Sequence, residues 1–157
     1  MRHPLLGEIR STEDLFRETF FAFVEHEVRR VRILIDPDGG PLVTSVATAA
    51  AIKSRLEGLD HVARQRIVAD LLDTLNGDWN TYEYVEDDGS ITKMRRMPFS
   101  DCQFYEQLIL DVIEVTGDKT VRLTYADGGL FRGGDIIVTS SNGTDFTTVR
   151  VELLPSE

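Results

Sequence analysis

A single cysteine, Cys102, stands in a chain of 157 residues, which removes any intrachain disulfide and agrees with a reducing compartment. No apolar run approaches the roughly 20 residues that cross a bilayer, and the first segment, "MRHPLLGEIRSTEDLF", lacks the apolar stretch of a secretory leader. A cytoplasmic protein with no membrane partner is expected. Positive charge is also scarce: 17 Lys and Arg face 27 Asp and Glu, giving a formal charge of −10 and a pI near 4.7. That balance repels phosphate backbones and anionic lipid at long range and draws in basic proteins, so nucleic acid is not an expected partner. Repeats and low-complexity linkers are missing too, and residues 1–157 read as one domain, long enough to bury about 70% of its unfolded surface.

Catalytic motifs are equally short in supply. The chain has no H-E-x-x-H and no G-x-S-x-G, so zinc-protease and α/β-hydrolase chemistry have no anchor. None of its three histidines, His3, His26 and His61, sits in a motif. His26 lies between Glu25 and Glu27, and on a strand those carboxylates face away from the imidazole, so the local pattern argues against a carboxylate-oriented histidine. "DPDGGP", Asp36 to Pro41, starts like a calcium loop, but Gly40 replaces the third ligand and Pro41 the obligatory glycine. Cys102 falls in the first turn of an expected helix, where the dipole favours a nucleophile and Asp101 acts in the opposite sense; it reads as a small half-buried side chain. Neither a cofactor nor a metal is expected.

What is there in density is "YADGGLFRGGDIIV", Tyr125 to Val138, with four glycines and two aspartates between two expected strands. Gly128 and Gly133 have P-loop spacing, yet Gly134 and Asp135 stand where Lys and Ser/Thr belong, and a strand follows in place of a helix. The stretch reads as a wide turn that swings through positive φ, with Leu130 and Phe131 anchored beneath it and Asp127, Arg132 and Asp135 exposed on it. Two basic clusters, Arg29, Arg30, Arg32 and Lys93, Arg95, Arg96, read as salt-bridged strand surface. Trp79 reads as a core-closing side chain at a helix exit, with ligand stacking as its alternative.

The hydrophobic pattern gives an α+β order. Phe16 to Asp36 predicts a hairpin turning near Glu25 to Glu27, preceded by a short strand around Leu5 to Ile9. A helix is expected from about Ser45 to Glu57, stopped by Gly58, and a second capped by Asp60, with Val68, Leu71, Leu72 and Leu75 as its buried stripe and Arg64, Arg66 and Asp73 off it. The two should form an antiparallel helical hairpin over a sheet. "TYEYVEDDGSITKM" reads as another hairpin. In "PFSDCQF" Ser100 and Gln103 form a capping box with Phe99 and Phe104 as staple, predicting a short helix from Asp101 to about Ile109. Strands at 110–116, 120–125, 135–140 and 147–153 complete a C-terminal antiparallel meander.

This order, with "VRILID", "LNGDW", "FSDCQFYEQL" and "YADGGLFRGGDIIV", resembles the bacterial family called domain of unknown function 2262 over about Val28 to Val138. The family pattern ends in D-D-G-D-L-F-W-G-H before an apolar strand. Asp127, Gly128, Leu130, Phe131, Gly133 and Ile136 match it, whereas Ala126, Gly129, Arg132 and Gly134 replace its Asp, Asp, Trp and His. The resemblance implies the fold order and no substrate.

A small acidic domain without a reaction centre is expected to be a protein-binding module, such as an immunity or inhibitor protein for a basic toxin. The alternative is an enzyme or small-molecule binder assembled from dispersed residues, Trp79, Tyr125, Asp127 and Cys102 among them. The candidate recognition loop comprises Tyr125, Asp127, Phe131, Arg132 and Asp135 with Trp79. Open sheet edges also allow a homodimer.

Overall fold

The computed structural model describes residues 1–12, 17–77, 79–131 and 133–153. Three very short strands open the chain, β1 (Arg2–His3), β2 (Gly7–Glu8) and β3 (Arg10–Ser11), followed by a hairpin of β4 (Phe20–His26) and β5 (Arg29–Asp36). Val31, Ile33 and Ile35 point into the core and alternate with Arg30, Arg32 and Leu34, the period of a sheet with one covered face. The hairpin turns at Glu27 and Val28, a residue or two beyond the expected place. Both take positive φ, 50° and 59°, as a two-residue loop matched to strand twist requires.

Next come α1 (Leu42–Ser54) and α2 (Leu56–Gly77), separated only by Arg55. Gly58 and Asp60 therefore do not stop one helix and cap the next; both lie inside α2. The reason for Asp60 is largely tertiary, since its buried carboxylate is engaged by His26 of β4 and by Tyr125 further along the chain, as well as by Arg64 of its own helix, and is unavailable to the backbone. α1 packs on the central strands and α2 reaches the far edge of the sheet and α3 (Asp101–Gln107). Ser45 and Thr48 fasten α1 by donating to the carbonyls of Gly117 and Asp118, at 2.5 and 2.7 Å. Between α2 and α3 a separate hairpin projects, β6 (Thr81–Val85) and β7 (Ile91–Arg95).

The chain closes with β8 (Ile109–Thr116), β9 (Thr120–Ala126), β10 (Asp135–Ser140) and β11 (Thr148–Glu152), as the alternation predicts. One seven-stranded sheet results, in the order β11-β10-β9-β8-β5-β4-β3. Every neighbour is antiparallel except β5 and β8, which run parallel with Ile33 opposite Ile113 and Ile35 opposite Val115. The sheet is thus mixed, and α1, α2, the projecting hairpin and α3 together form the crossover that a parallel pair demands. Ile33, Ile113, Val121, Leu123, Ile136 and Val138 are fully buried with Ile52 and Ile67 from the helices, each contributing about 1.5–3 kcal/mol by leaving water. Among the described residues no helix is long and apolar enough to cross a membrane.

Candidate functional site

Three features outside the apolar core carry the polar and exposed chemistry of the molecule. The first is a buried network where the β4–β5 turn, α2, α3 and β9 meet. Asp60 accepts from Tyr125 Oη at 2.5 Å, from Arg64 Nε at 2.9 Å and, through its other oxygen, from His26 Nε2 at 2.7 Å. An ionised carboxylate only accepts, so the imidazole proton sits on Nε2. Burial pushes the Asp60 carboxyl up, but hydrogen bonds from Arg64, Tyr125 and His26 outweigh it and hold the group below its usual range. Burial, then the Asp60 charge, push the Tyr125 phenol far up, so it stays a neutral donor.

Arg64 extends the network in two directions. One terminal nitrogen donates to the carbonyls of Tyr105 and Leu108 at 3.2 and 2.7 Å, capping the end of α3, and the other reaches Glu27 at 3.2 Å. Local sequence hid this arrangement: Arg64 is buried, not off the stripe, and His26 is oriented by a carboxylate 34 residues away, not by its neighbours. The signal was present in the helical period, which puts Asp60 and Arg64, four apart, on the face of Leu56, Ala63 and Ile67.

Donor atoms of His26, Glu27 and Asp60 lie within 4.8 Å of one another, the compactness of a three-ligand metal set. The guanidinium of Arg64 already supplies the positive charge between two of them, and a divalent ion would face it at close range in a low-dielectric site. The group therefore reads as an ion-pair lock. Beside it His26, Arg29, Glu106 and Leu110 help line a cavity of about 150 Å³.

The second feature is the glycine loop, and it points inward. Asp127 is buried, not exposed, because its carboxylate accepts from the backbone N–H of Gly129 and of Phe131, each at 2.7 Å. Gly128 has φ of 64°, a conformation strained for any residue with a side chain, and a Cβ there would lie 2.9 Å from Gln107 Oε1, so the Gln107 side chain would have to shift as well. Leu130 and Phe131 are buried beneath the turn as expected, and Phe131 packs edge-on to Trp79 at 5.4 Å and against Phe104 at 6.2 Å. Tyr125 is buried in the network, and Asp135 is half-buried, with burial first and then the charges of Asp111, Glu152 and Asp127 pushing its carboxyl up. Arg132 lies outside the described residues. Of the recognition-loop candidates, Tyr125 is thus committed to the Asp60 network and Asp127 and Phe131 to holding the loop in place.

The third feature is the arm formed by β6 and β7. All of β6 is exposed, and apolar side chains meet across the strands without cover: Val85 opposite Ile91, 66% and 63% exposed, and Tyr82 opposite Met94. Tyr84 is 53% exposed and Met97, just past the arm, 88%. The tip carries Glu86, Asp87 and Asp88, with Ser90 holding the Asp88 carboxyl below its usual range. Among the described residues its basic side chains form no salt bridge, contrary to expectation. Arg95 donates to the Gly77 carbonyl and Arg96 lies over the Tyr82 ring, while on the other hairpin Arg30 stacks on Phe23. The root is rigid: Asn76 and Phe99 exchange hydrogen bonds at 3.0 and 2.7 Å, and Asn80 donates to the Arg96 carbonyl.

Beside that root, α2 and α3 leave a groove of about 560 Å³. His61 Nδ1 and the Tyr105 hydroxyl close one end at 2.7 Å, and Cys102 is exposed on its wall. No curated protein and no solved structure matches the chain. The family model described as an uncharacterized protein conserved in bacteria (DUF2262) matches residues 4–150, and the chain belongs to that family.

Proposed function

We propose that the protein works by binding another protein, as an acidic inhibitor of a basic partner such as a toxin, with the β6–β7 arm as its contact surface. The observation that carries this reading is the uncovered ribbon itself. A two-stranded hairpin is at best marginally stable alone in water, and this one exposes Tyr82, Tyr84, Val85, Ile91 and Met94 instead of burying them. Tyr82, Tyr84 and Met94 stand on one face of the ribbon and the Val85–Ile91 pair on the other, and exposed apolar surface rimmed by charge is characteristic of interaction sites. Aromatic anchors below an acidic tip of Glu86, Asp87 and Asp88 suit a partner with basic groups, whose approach the net charge of −10 accelerates. The test is affinity capture from the source cell with the wild-type chain and with a variant carrying Tyr84→Ser, Val85→Ser and Ile91→Ser. Retention of one stoichiometric basic protein by the wild type alone supports the reading; equal retention by both removes the arm from it.

A second reading rests on a separate observation, the imidazole of His26 held by Asp60 at the edge of the 150 Å³ cavity. A carboxylate-oriented histidine is equipped for proton transfer. No described side chain beside it supplies a nucleophile, and Arg64 is engaged in structural bonds, so the arm carries the conclusion.

A further inference from the structure

The α2 face that lines the groove consists of His61, Gln65, Val68, Ala69, Leu72 and Asp73, spaced i, i+4, i+7, i+8, i+11 and i+12, which is one continuous helical stripe. It runs for about 18 Å at 1.5 Å per residue. The opposite wall is Asp101, Cys102, Tyr105 and Glu106 of α3. The floor is therefore apolar, with Val68, Ala69 and Leu72 against the ring of Tyr105, and three carboxylates, Asp73, Asp101 and Glu106, stand on the rim. Among the described residues no Lys or Arg lines it. One end is shut by the His61–Tyr105 hydrogen bond. The other lies at the arm, since Asp73 is three residues before Asn76 and Asp101 two after Phe99, the pair that clamps the arm's root.

We infer that this groove is the seat for a cationic amphipathic helix of the partner protein, laid between α2 and α3 while the β6–β7 arm grips the same partner alongside. The inference rests on the protein-binding reading and names a second, separate contact for it. A trough between two helices is the shape that receives a third. A length of 18 Å matches about three helical turns, and leucine-like side chains on one face with lysine or arginine flanking them would meet the floor and the rim respectively. An acidic or uncharged helix would bring no countercharge to the carboxylates.

The probe is a fluorescently labelled synthetic helix of leucine and lysine with leucines at i, i+3, i+4 and i+7, followed by anisotropy. Its controls are a scrambled peptide of the same composition and a leucine–glutamate counterpart. The proteins are the wild type, the arm variant, and Ala69→Arg, which places a long cation on the exposed floor of the groove without touching the core. Expected is binding to the wild type and the arm variant alike, weakened about tenfold or more by Ala69→Arg and by raised salt, with neither control peptide binding comparably. No binding to the wild type, equal binding of the scrambled peptide, or indifference to Ala69→Arg with an unchanged circular dichroism spectrum each overturns the inference. Because the peptide readout bypasses the arm, these failures leave the arm reading standing, and loss of partner capture by the arm variant is likewise independent of the groove.

Discussion

Removing the guanidinium of Arg64 would take one donor from the buried Asp60, unpair the exposed Glu27 and uncap α3 in a single step. Arg64→Met is expected to cost about 3–5 kcal/mol in urea unfolding, the range for breaking one side of a buried ion pair; a loss below about 1 kcal/mol would mean that the network adds little. Asp60 adds a pH signature. Its folded pKa lies below the ordinary value, so its contribution is complete above about 3.9 and disappears as pH falls through the folded value. The stability difference between wild type and Asp60→Asn should hold constant at neutral and mildly acidic pH and shrink only below that point. A difference that grows on acidification would contradict the assignment of Asp60 as a stabilised anion. Val28 is the clearest local strain in the chain, a β-branched residue at φ of 59° and 103% exposed. The left-handed region costs a non-glycine residue about 1–2 kcal/mol, partly offset by the entropy glycine loses. Val28→Gly should therefore raise stability by up to about 1 kcal/mol in the same unfolding experiment.

At the scale of the element, the arm should be thermodynamically detachable. Ser at Tyr84, Val85 and Ile91 removes side chains that are already more than half exposed, so the unfolding free energy in urea is expected to move by no more than about 0.5 kcal/mol, and a cooperative loss of several kcal/mol would show the arm to be part of the core. The same distinction explains what was readable in the chain. The capping box at Ser100 and Gln103 and the four C-terminal strands rest on chemistry within a few residues, and the structure reproduces the box in both directions. The parallel β5–β8 pair depends on contacts some eighty positions apart, for which period-2 alternation holds no information. Asp60 reads as a cap because Asp after Gly is a local stop-and-start signal; two tertiary partners, His26 and Tyr125, and Arg64 one turn along the helix override it. The exposure expected of Asp127 fails for a related reason: glycine density reports a turn, and the fold shows that Asp127 turns inward and accepts from its own backbone. The arm itself was legible as a hairpin from "TYEYVEDDGSITKM", but its isolation from the main sheet was not.

For the whole molecule, an acidic body that keeps one sheet face under helices carries exposed apolar groups at several places, Val28 and Val43 among them, and gathers Tyr82, Tyr84, Val85, Ile91, Met94 and Met97 on and beside the arm, next to the α2–α3 groove. Those two features adjoin at the Asn76–Phe99 clamp, so a partner can bury both in one contact. The buried network behind them fixes the relative placement of α2, α3 and the sheet and gives that surface a rigid base. The most direct measurement is affinity capture from the source cell with tagged wild type beside the Tyr84→Ser, Val85→Ser, Ile91→Ser variant, at low and moderate salt, with mass spectrometry of the retained protein. The account predicts one basic protein in stoichiometric amount on the wild type, weakened by salt and absent from the variant; an empty wild-type bait, or identical retention by both chains, would contradict it.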